Sequence, residues 1–401
     1  MTVSNRRLDL HYMAMQCGFW ALFAAIVSYQ AALLQGRGFS NSEIGVLVAV
    51  RCLAGIILQP LLGGWADRHT TVPLKHIVNL SMAISLVFGL WFTFDPGLGF
   101  APTVLIFVVL GGLELSSYPL MDAMAVQFIQ VGVPIRYSLG RGLGSLSFAV
   151  TCVLLGLQAG RFGVESTLIT HAVLAVVEML LVATFPTFRA PEVHFTNHSG
   201  EMPHSSWYLL RHYPRFTLML VGLFFGITAV LPLSNFLINI LQAKGGGEAQ
   251  LGLALFLMGA SELPGSMVFT KLRSRGIPSA RLLLLSQAFI LLKAAALLIA
   301  PTVGAILLIQ PIQMLGYGVF TPASVFYVSD TIPPVDQVRG QTLMMVASNG
   351  MGGVVGGLLA GKALDLGQAA GSGAGLMLLV CVACAVVSVI LTFAASNTKR
   401  T

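Results

Sequence analysis

The sequence predicts an all-α membrane protein of twelve transmembrane helices, and three observations carry that prediction: a very low charge content, evenly repeated apolar runs, and cations concentrated in alternate loops. Hydrophobic residues make up 56% of the 401 residues and charged residues only 9%, with a mean hydropathy of +0.85. Soluble domains carry roughly 25% charged residues. A chain this poor in charge cannot clothe a surface that faces water, so most of its surface must face lipid.

Apolar windows fall near residues 12–34, 43–66, 74–94, 101–130, 137–160 and 166–188, and again near 214–242, 249–272, 280–300, 302–329, 338–363 and 373–396. Each is long enough for the run of about 20 apolar residues that crosses hydrocarbon. The first run lacks a small-residue cleavage site followed by a soluble domain, so it reads as a span and not as a cleavable leader. A polar stretch from about Pro186 to Pro214, with His194, His198, His204 and His212, separates the sixth run from the seventh. The expected organisation is a six-helix bundle over 1–188, a cytoplasmic linker over 189–213, and a second six-helix bundle over 214–401. Pro, Thr, Asn, Ser and Gly surround the linker histidines, so a solvated connection is expected in preference to a metal site.

The formal charge is +7. Its placement points to topology and not to nucleic acid. Arg6, Arg7, Arg68, Lys75, Arg136, Arg189, Arg211, Arg215, Lys271, Arg273, Arg275, Arg281, Arg339, Lys399 and Arg400 fall in one set of loops and at the ends, against Arg37, Arg161, Lys244 and Lys362 in the other. This asymmetry is the positive-inside pattern, which puts both termini in the cytoplasm of a bacterial inner membrane. The five cysteines all lie inside predicted spans. Cys381 and Cys384, despite their CxxC spacing, read as small packing residues. No metal or cofactor is expected, and the lipid bilayer is the predicted environment of a monomer.

The halves repeat. Gly45 and Gly252 open the second and eighth spans, Pro60 and Pro264 follow, and Arg136 and Arg339 precede the fifth and eleventh, at offsets of 207, 204 and 203 residues. Two related bundles in one chain suit alternating access, with a solute held near the bilayer midplane.

Charges inside apolar spans are the most informative residues, because each costs about 2.5–3.5 kcal/mol on the milder insertion scale. They are Arg51, Glu114, Asp122, Arg141, Glu178, Glu262 and Lys293. Asp122, Arg141, Glu262 and Lys293 lie well inside their spans and are expected around a wet cavity. The turn at Gly132-Val133-Pro134 lets Asp122 and Arg141 reach similar depth on adjacent antiparallel helices. Tyr137, Arg141, Ser145 and Phe148 share one helical face, while Gly140, Gly142 and Gly144 leave room for a neighbour or ligand. Arginine presents a planar fork of donors, and an aromatic ring offers a stacking face. Gly63-Gly64-Trp65-Ala66-Asp67-Arg68 closes the second span with glycines expected to let helices meet tightly and a charge pair suited to a gate.

Gln59-Pro60-Leu61-Leu62-Gly63-Gly64-Trp65-Ala66-Asp67-Arg68 resembles the loop-2/3 signature of the major facilitator superfamily, and Ser42-Glu43-Ile44-Gly45 resembles the start of that family's second helix. Pro119-Leu120-Met121-Asp122-Ala123 and Tyr137-Ser138-Leu139-Gly140-Arg141-Gly142-Leu143-Gly144-Ser145 are similar to the helix-4/helix-5 region of its oligosaccharide:proton symporter and phenylpropionate permease groups. Thr321-Pro322-Ala323-Ser324-Val325 and Val338-Arg339-Gly340-Gln341 extend the likeness into the second half.

The resemblance implies the major facilitator fold and a secondary transporter, with no enzymatic activity. It implies a proton-coupled symporter of a small polar solute such as a sugar or oligosaccharide. Asp122 and Arg141 take the places of an acid–arginine pair that binds sugar hydroxyls, and Glu262 that of a helix-8 glutamate at the sugar. Lys293 replaces a coupling arginine, and Phe148 a stacking tryptophan. Asp122, Arg141, Glu262, Phe148, Tyr118 and Ser145 are thus the expected solute contacts. Glu262, Lys293 and Asp122 are the expected coupling groups, and Gly64, Asp67, Arg68 and Arg339 the gate. Gln313 and Gly316 stand where lactose permease has the histidine and glutamate of its proton relay, and Gln310 replaces a lysine, so protons cannot couple through those positions. Import of an aromatic or aliphatic carboxylate, clamped by Arg141 and Lys293, is the competing reading. Drug-type efflux and a non-transporting sensor stand behind it.

Overall fold

The computed structural model describes residues 5–69, 71–188 and 204–397. Among them all regular structure is helical, and twelve helices are long and apolar enough to cross a membrane. They are α1 Arg6–Gly36, α2 Asn41–Arg68, α3 Leu74–Phe94, α4 Phe100–Gln130, α5 Tyr137–Phe162, α6 Ser166–Thr184, α7 Pro214–Asn235, α8 Glu248–Ser274, α9 Ser279–Ile299, α10 Val303–Thr331, α11 Pro334–Ala369 and α12 Gly375–Asn397. The expected histidine pair His194 and His198 lies outside the described residues, with most of the linker. Among the described residues no cluster of three His, Cys, Asp or Glu side chains is arranged for a metal.

The chain divides into two compact units. The first comprises Met1–Glu192 with Gly247–Phe256, and the second Val193–Gly246 with Leu257–Thr401. In the first, α1 packs along α5 and α6, α2 along α4, and α3 along α4 and α6. Its core gathers Tyr12, Met15, Phe19, Leu22, Met82, Met121, Met124, Val182 and Phe185. In the second, α7 packs along α12 and α11, and α9 along α12 and α10, around Phe216, Met219, Leu223, Ile227, Leu283, Phe320 and Tyr327.

Element ends follow local chemistry. Ser40 caps α2, its hydroxyl accepting from the Glu43 amide while the Glu43 carboxylate accepts from the Ser40 amide, a reciprocal capping box. The seventh apolar run, read as continuous to 242, breaks at Phe236 after Pro232 and resumes as Leu237–Gln242. The tenth is broken as well: Gln310–Met314 is a 3₁₀ turn containing Pro311, and α-helix restarts at Tyr317 after Gly316 at φ −78°, ψ −101°. In α11 the stretch Val346–Gly352 is wound as a π-helix. Lipid-facing side chains are apolar and exposed, among them Leu80, Val87, Leu154, Leu180, Leu308 and Ile390.

Candidate functional site

In the first unit, α4 and α5 bring Asp122 and Arg141 together at the depth their spacing predicts. Arg141 Nη1 donates to Asp122 Oδ2 at 3.1 Å, and Tyr137 Oη donates to the same oxygen at 2.9 Å. The other oxygen, Oδ1, accepts from Tyr12 Oη at 3.1 Å and from Gln16 Nε2 at 2.9 Å, both on α1. Four donors meet a carboxylate with about four acceptor sites, so every acceptor position on Asp122 is taken. Among the described residues, Arg141 spends only Nη1 of its fork on a hydrogen bond. Its guanidinium carbon lies 4.5 Å from the centre of the Tyr118 ring, in cation–π geometry.

Aromatic rings wall this arginine. Trp20 of α1 stands edge-on to Tyr118 at 5.4 Å and to Phe148 at 6.3 Å, and Phe19 stacks on Tyr118 at 5.8 Å. The indole Nε1 of Trp20 is buried with no hydrogen-bond partner among the described residues. Glycines allow the approach of α1. A Cβ at Gly140 would meet the Tyr12 ring at 2.6 Å, and one at Gly144 would collide with Trp20. Ser145 is exposed, and its hydroxyl turns back to the Arg141 carbonyl at 3.4 Å.

In the second unit, α8, α9 and α10 bring together Glu262, Lys293 and Gln313. Lys293, 1% exposed, donates from Nζ to Gln313 Oε1 at 2.8 Å, and Gln313 Nε2 donates to Glu262 Oε1 at 3.3 Å. Lys293 and Glu262, the expected coupling groups of this half, are thus brought together with Gln313 between them. Among the described residues they form no ion pair and communicate through an amide, because the 3₁₀ break in α10 projects Gln313 between them. Glycine again sets the distance between helices. A Cβ at Gly318 would lie 3.1 Å from the Cα and carbonyl oxygen of Glu262, and one at Gly265 would collide with the Met314 carbonyl. Nearby, Tyr317 Oη donates to Asn349 Oδ1 at 3.3 Å, Asn349 sitting within the π-helical stretch of α11.

The segment expected to gate lies at the end of α2. Asp67 and Arg68 are exposed and form no ion pair among the described residues, and a Cβ at Gly63 or Gly64 would meet nothing within 4 Å. Among the described residues, the tight helix contact expected at these glycines is not made. Arg339 donates to the His204 carbonyl, and His204 in turn bonds Asp336 through its backbone N–H at 2.7 Å and its ring Nδ1 at 2.9 Å. The remaining intramembrane charges are buried separately. Glu114 pairs with His171 at 3.0 Å, Arg51 has Nε and Nη1 without partners among the described residues, and so have both oxygens of Glu178.

Each of the two units holds a hydrogen-bonded group of charged side chains inside membrane-spanning helices, the arrangement of a polytopic membrane protein that handles a polar solute. The sequence matches the MFS_1 like family over residues 8–371, and the chain belongs to that family of major facilitator transporters. It is a multi-pass membrane transporter and not an enzyme. The maltose permease of Geobacillus stearothermophilus is 24% identical over 394 residues, covering 98% of this chain and 94% of that protein. Among solved structures, the D323A mutant of the nucleoside transporter NupG superimposes with a TM-score of 0.83 at 16% identity, over 97% of this chain and 98% of that one. A bacterial homolog of the human lysosomal transporter Spinster, inward-facing and unoccupied, gives 0.73 at 14% identity, over 99% and 98%.

Proposed function

We propose that this transporter is a proton-coupled symporter of a small polar solute, a sugar or oligosaccharide, working by alternating access in a bacterial inner membrane with both termini cytoplasmic. The functional halves are 1–188 and 214–401, joined by 189–213. One observation carries the reading: Arg141 is held by Asp122 over the Tyr118 ring, beside Trp20 and Phe148, with part of its donor fork unspent. A cation fork next to aromatic edges is suited to a ring bearing paired hydroxyls. The likeness to a maltose permease supports the same solute class.

Arg141, Phe148, Tyr118 and Ser145 contact the solute, and Asp122 holds Arg141 in place through its saturated bonds. Glu262 contacts the solute and carries the proton. Among the described residues only its Oε1 carries a hydrogen bond, so protonation at the other oxygen breaks nothing. Lys293 supplies a cation whose effect reaches Glu262 through Gln313. An amide has no proton to give and take near neutral pH, so Gln313 positions and does not relay. Gly64, Asp67 and Arg68 at the end of α2, and Arg339 near the start of α11, are the gating residues of their respective halves.

The test is uptake of labelled maltose into proteoliposomes under an imposed pH gradient, with aryl carboxylates as competitors. The expected result is gradient-driven uptake that a protonophore abolishes and that Glu262→Gln removes while leaving exchange. Uptake indifferent to both ends the coupling assignment. Uptake of carboxylates in place of sugars moves the solute to the anion class.

A further inference from the structure

Glu178 of α6 is 0% exposed, and neither of its carboxylate oxygens has a hydrogen-bond partner among the described residues. It faces the backbone of α1 directly. A Cβ at Gly18 would collide with Oε2, so this helix approaches the carboxyl only because residue 18 has no side chain.

Three charged or titratable groups on the packed helices bond other partners. His11 of α1 bonds the Leu181 carbonyl at 2.8 Å, and Lys75 of α3 bonds the carbonyls of Ala183 and Phe185 at 3.3 and 3.2 Å. Arg141 of α5 is held by Asp122. Cys17 of α1 is the titratable side chain within electrostatic reach. An ionised carboxylate sealed in an apolar bundle without a cation or donor is far too costly to persist.

α1 links this carboxyl to the solute site. Tyr12, Gln16 and Trp20 recur every fourth residue on one face of α1 and meet Asp122 and Gly144. Gly18, two residues from both Gln16 and Trp20, falls on the opposite side of a helix with about 3.6 residues per turn. One face of α1 thus reads Asp122 and Arg141, and the other reads Glu178.

We propose that Glu178 is a proton-binding site, occupied in this conformation, and that release of its proton displaces α1 and loosens the Tyr12 and Gln16 bonds to Asp122. In that step the O–H bond of the carboxyl breaks, the electron pair stays on the carboxylate, and the proton passes to water that enters as α1 parts from α6. The site is separate from Glu262 and does not depend on which solute is carried.

The test uses the purified full chain in nanodiscs, with Trp65, Trp91 and Trp207 replaced by Phe so that Trp20 alone reports on α1. At neutral pH the infrared difference spectrum between wild type and Glu178→Gln is expected to show one protonated-carboxyl band lost in the variant. Raising the pH is expected to shift Trp20 emission in the Glu178 protein and to leave it flat in Glu178→Gln. An unchanged carboxyl band at neutral pH overturns the proton site. A lost band with an unaltered Trp20 profile overturns the coupling through α1. Glu178→Met takes the place of the glutamine variant should that one fail to fold, and the same two readouts apply. Neither readout involves solute flux, so a failed sugar assignment and a failed Glu178 assignment remain distinguishable.

Discussion

Replacing Asp122 with asparagine isolates charge from shape. Asparagine keeps the volume, and its oxygen can face Arg141 and Tyr137 while its amide nitrogen faces α1. Gln16 accommodates this because its own Oε1 is buried without a partner and can rotate round to accept. Tyr12 adapts too, since a hydroxyl both donates and accepts. Geometry therefore survives and the charge does not. A hydrogen bond to a charged partner contributes about 1.5–3 kcal/mol against about 1 for a neutral one. Removing one member of a buried pair costs about 3–5 kcal/mol. Side-chain exposures of 35% for Arg141 and 15% for Asp122 let water screen part of this. The expected loss is about 1–3 kcal/mol, which is roughly 5- to 150-fold in the hold on the guanidinium. The assay is a double-mutant cycle of thermal midpoints in detergent with Asp122→Asn, Arg141→Gln and the pair. The double variant should unfold at a higher temperature than the sum of the singles requires, because no cation is left without its partner. Strict additivity would refute the reasoning.

Further outcomes follow from the same geometry. Gln313→Leu strands the Lys293 ammonium without its acceptor and should lower the thermal midpoint, whereas Lys293→Met with Gln313→Leu should recover part of the loss, measured in the same assay. Gly318→Ala places a methyl 3.1 Å from the Glu262 backbone and should cost about 1–3 kcal/mol with reduced uptake. Gly63→Ala and Gly64→Ala meet nothing within 4 Å and should leave the midpoint within about 0.5 kcal/mol of wild type, so any effect on uptake there reports on gating. Trp20→Ala removes the edge contacts to Tyr118 and Phe148, and should raise KM for the solute more than it lowers kcat.

What the sequence made legible depended on how local the cause was. Spans were legible because lipid forces every backbone hydrogen bond into the helix and demands a long apolar run. The pairing of Asp122 with Arg141 was legible because one short turn sets their relative depth. Tyr12, Gln16 and Trp20 were not, since they reach the site from more than a hundred residues away, and tyrosine, glutamine and tryptophan inside a span raise no alarm of their own. His171 escaped notice because a neutral imidazole carries no formal charge, although its bond to Glu114 is what makes that acid tolerable in the bundle. Gln313 was visible only as the loss of a relay histidine. Its use as a bridge follows from the break at Pro311 and Gly316, and a helix that stayed regular would have turned it elsewhere.

The two carboxylates of the proposed mechanism are built for opposite duties, and their isosteric variants should separate them. Asp122 has no free acceptor site, so a proton there would have to displace a donor from Tyr12, Gln16, Tyr137 or Arg141. Glu262 holds a single weak bond at 3.3 Å, and its second oxygen can take a proton with the Gln313 bridge intact. Under the proposed mechanism Asp122→Asn should weaken solute affinity at every pH and keep the response to a proton gradient. Glu262→Gln should keep exchange of preloaded solute and lose that response. Affinity follows whether the arginine is held, and coupling follows whether an acid can change its charge without dismantling its surroundings. If both variants lost the gradient response together and kept the same affinity, the saturation of Asp122 would be irrelevant to its role.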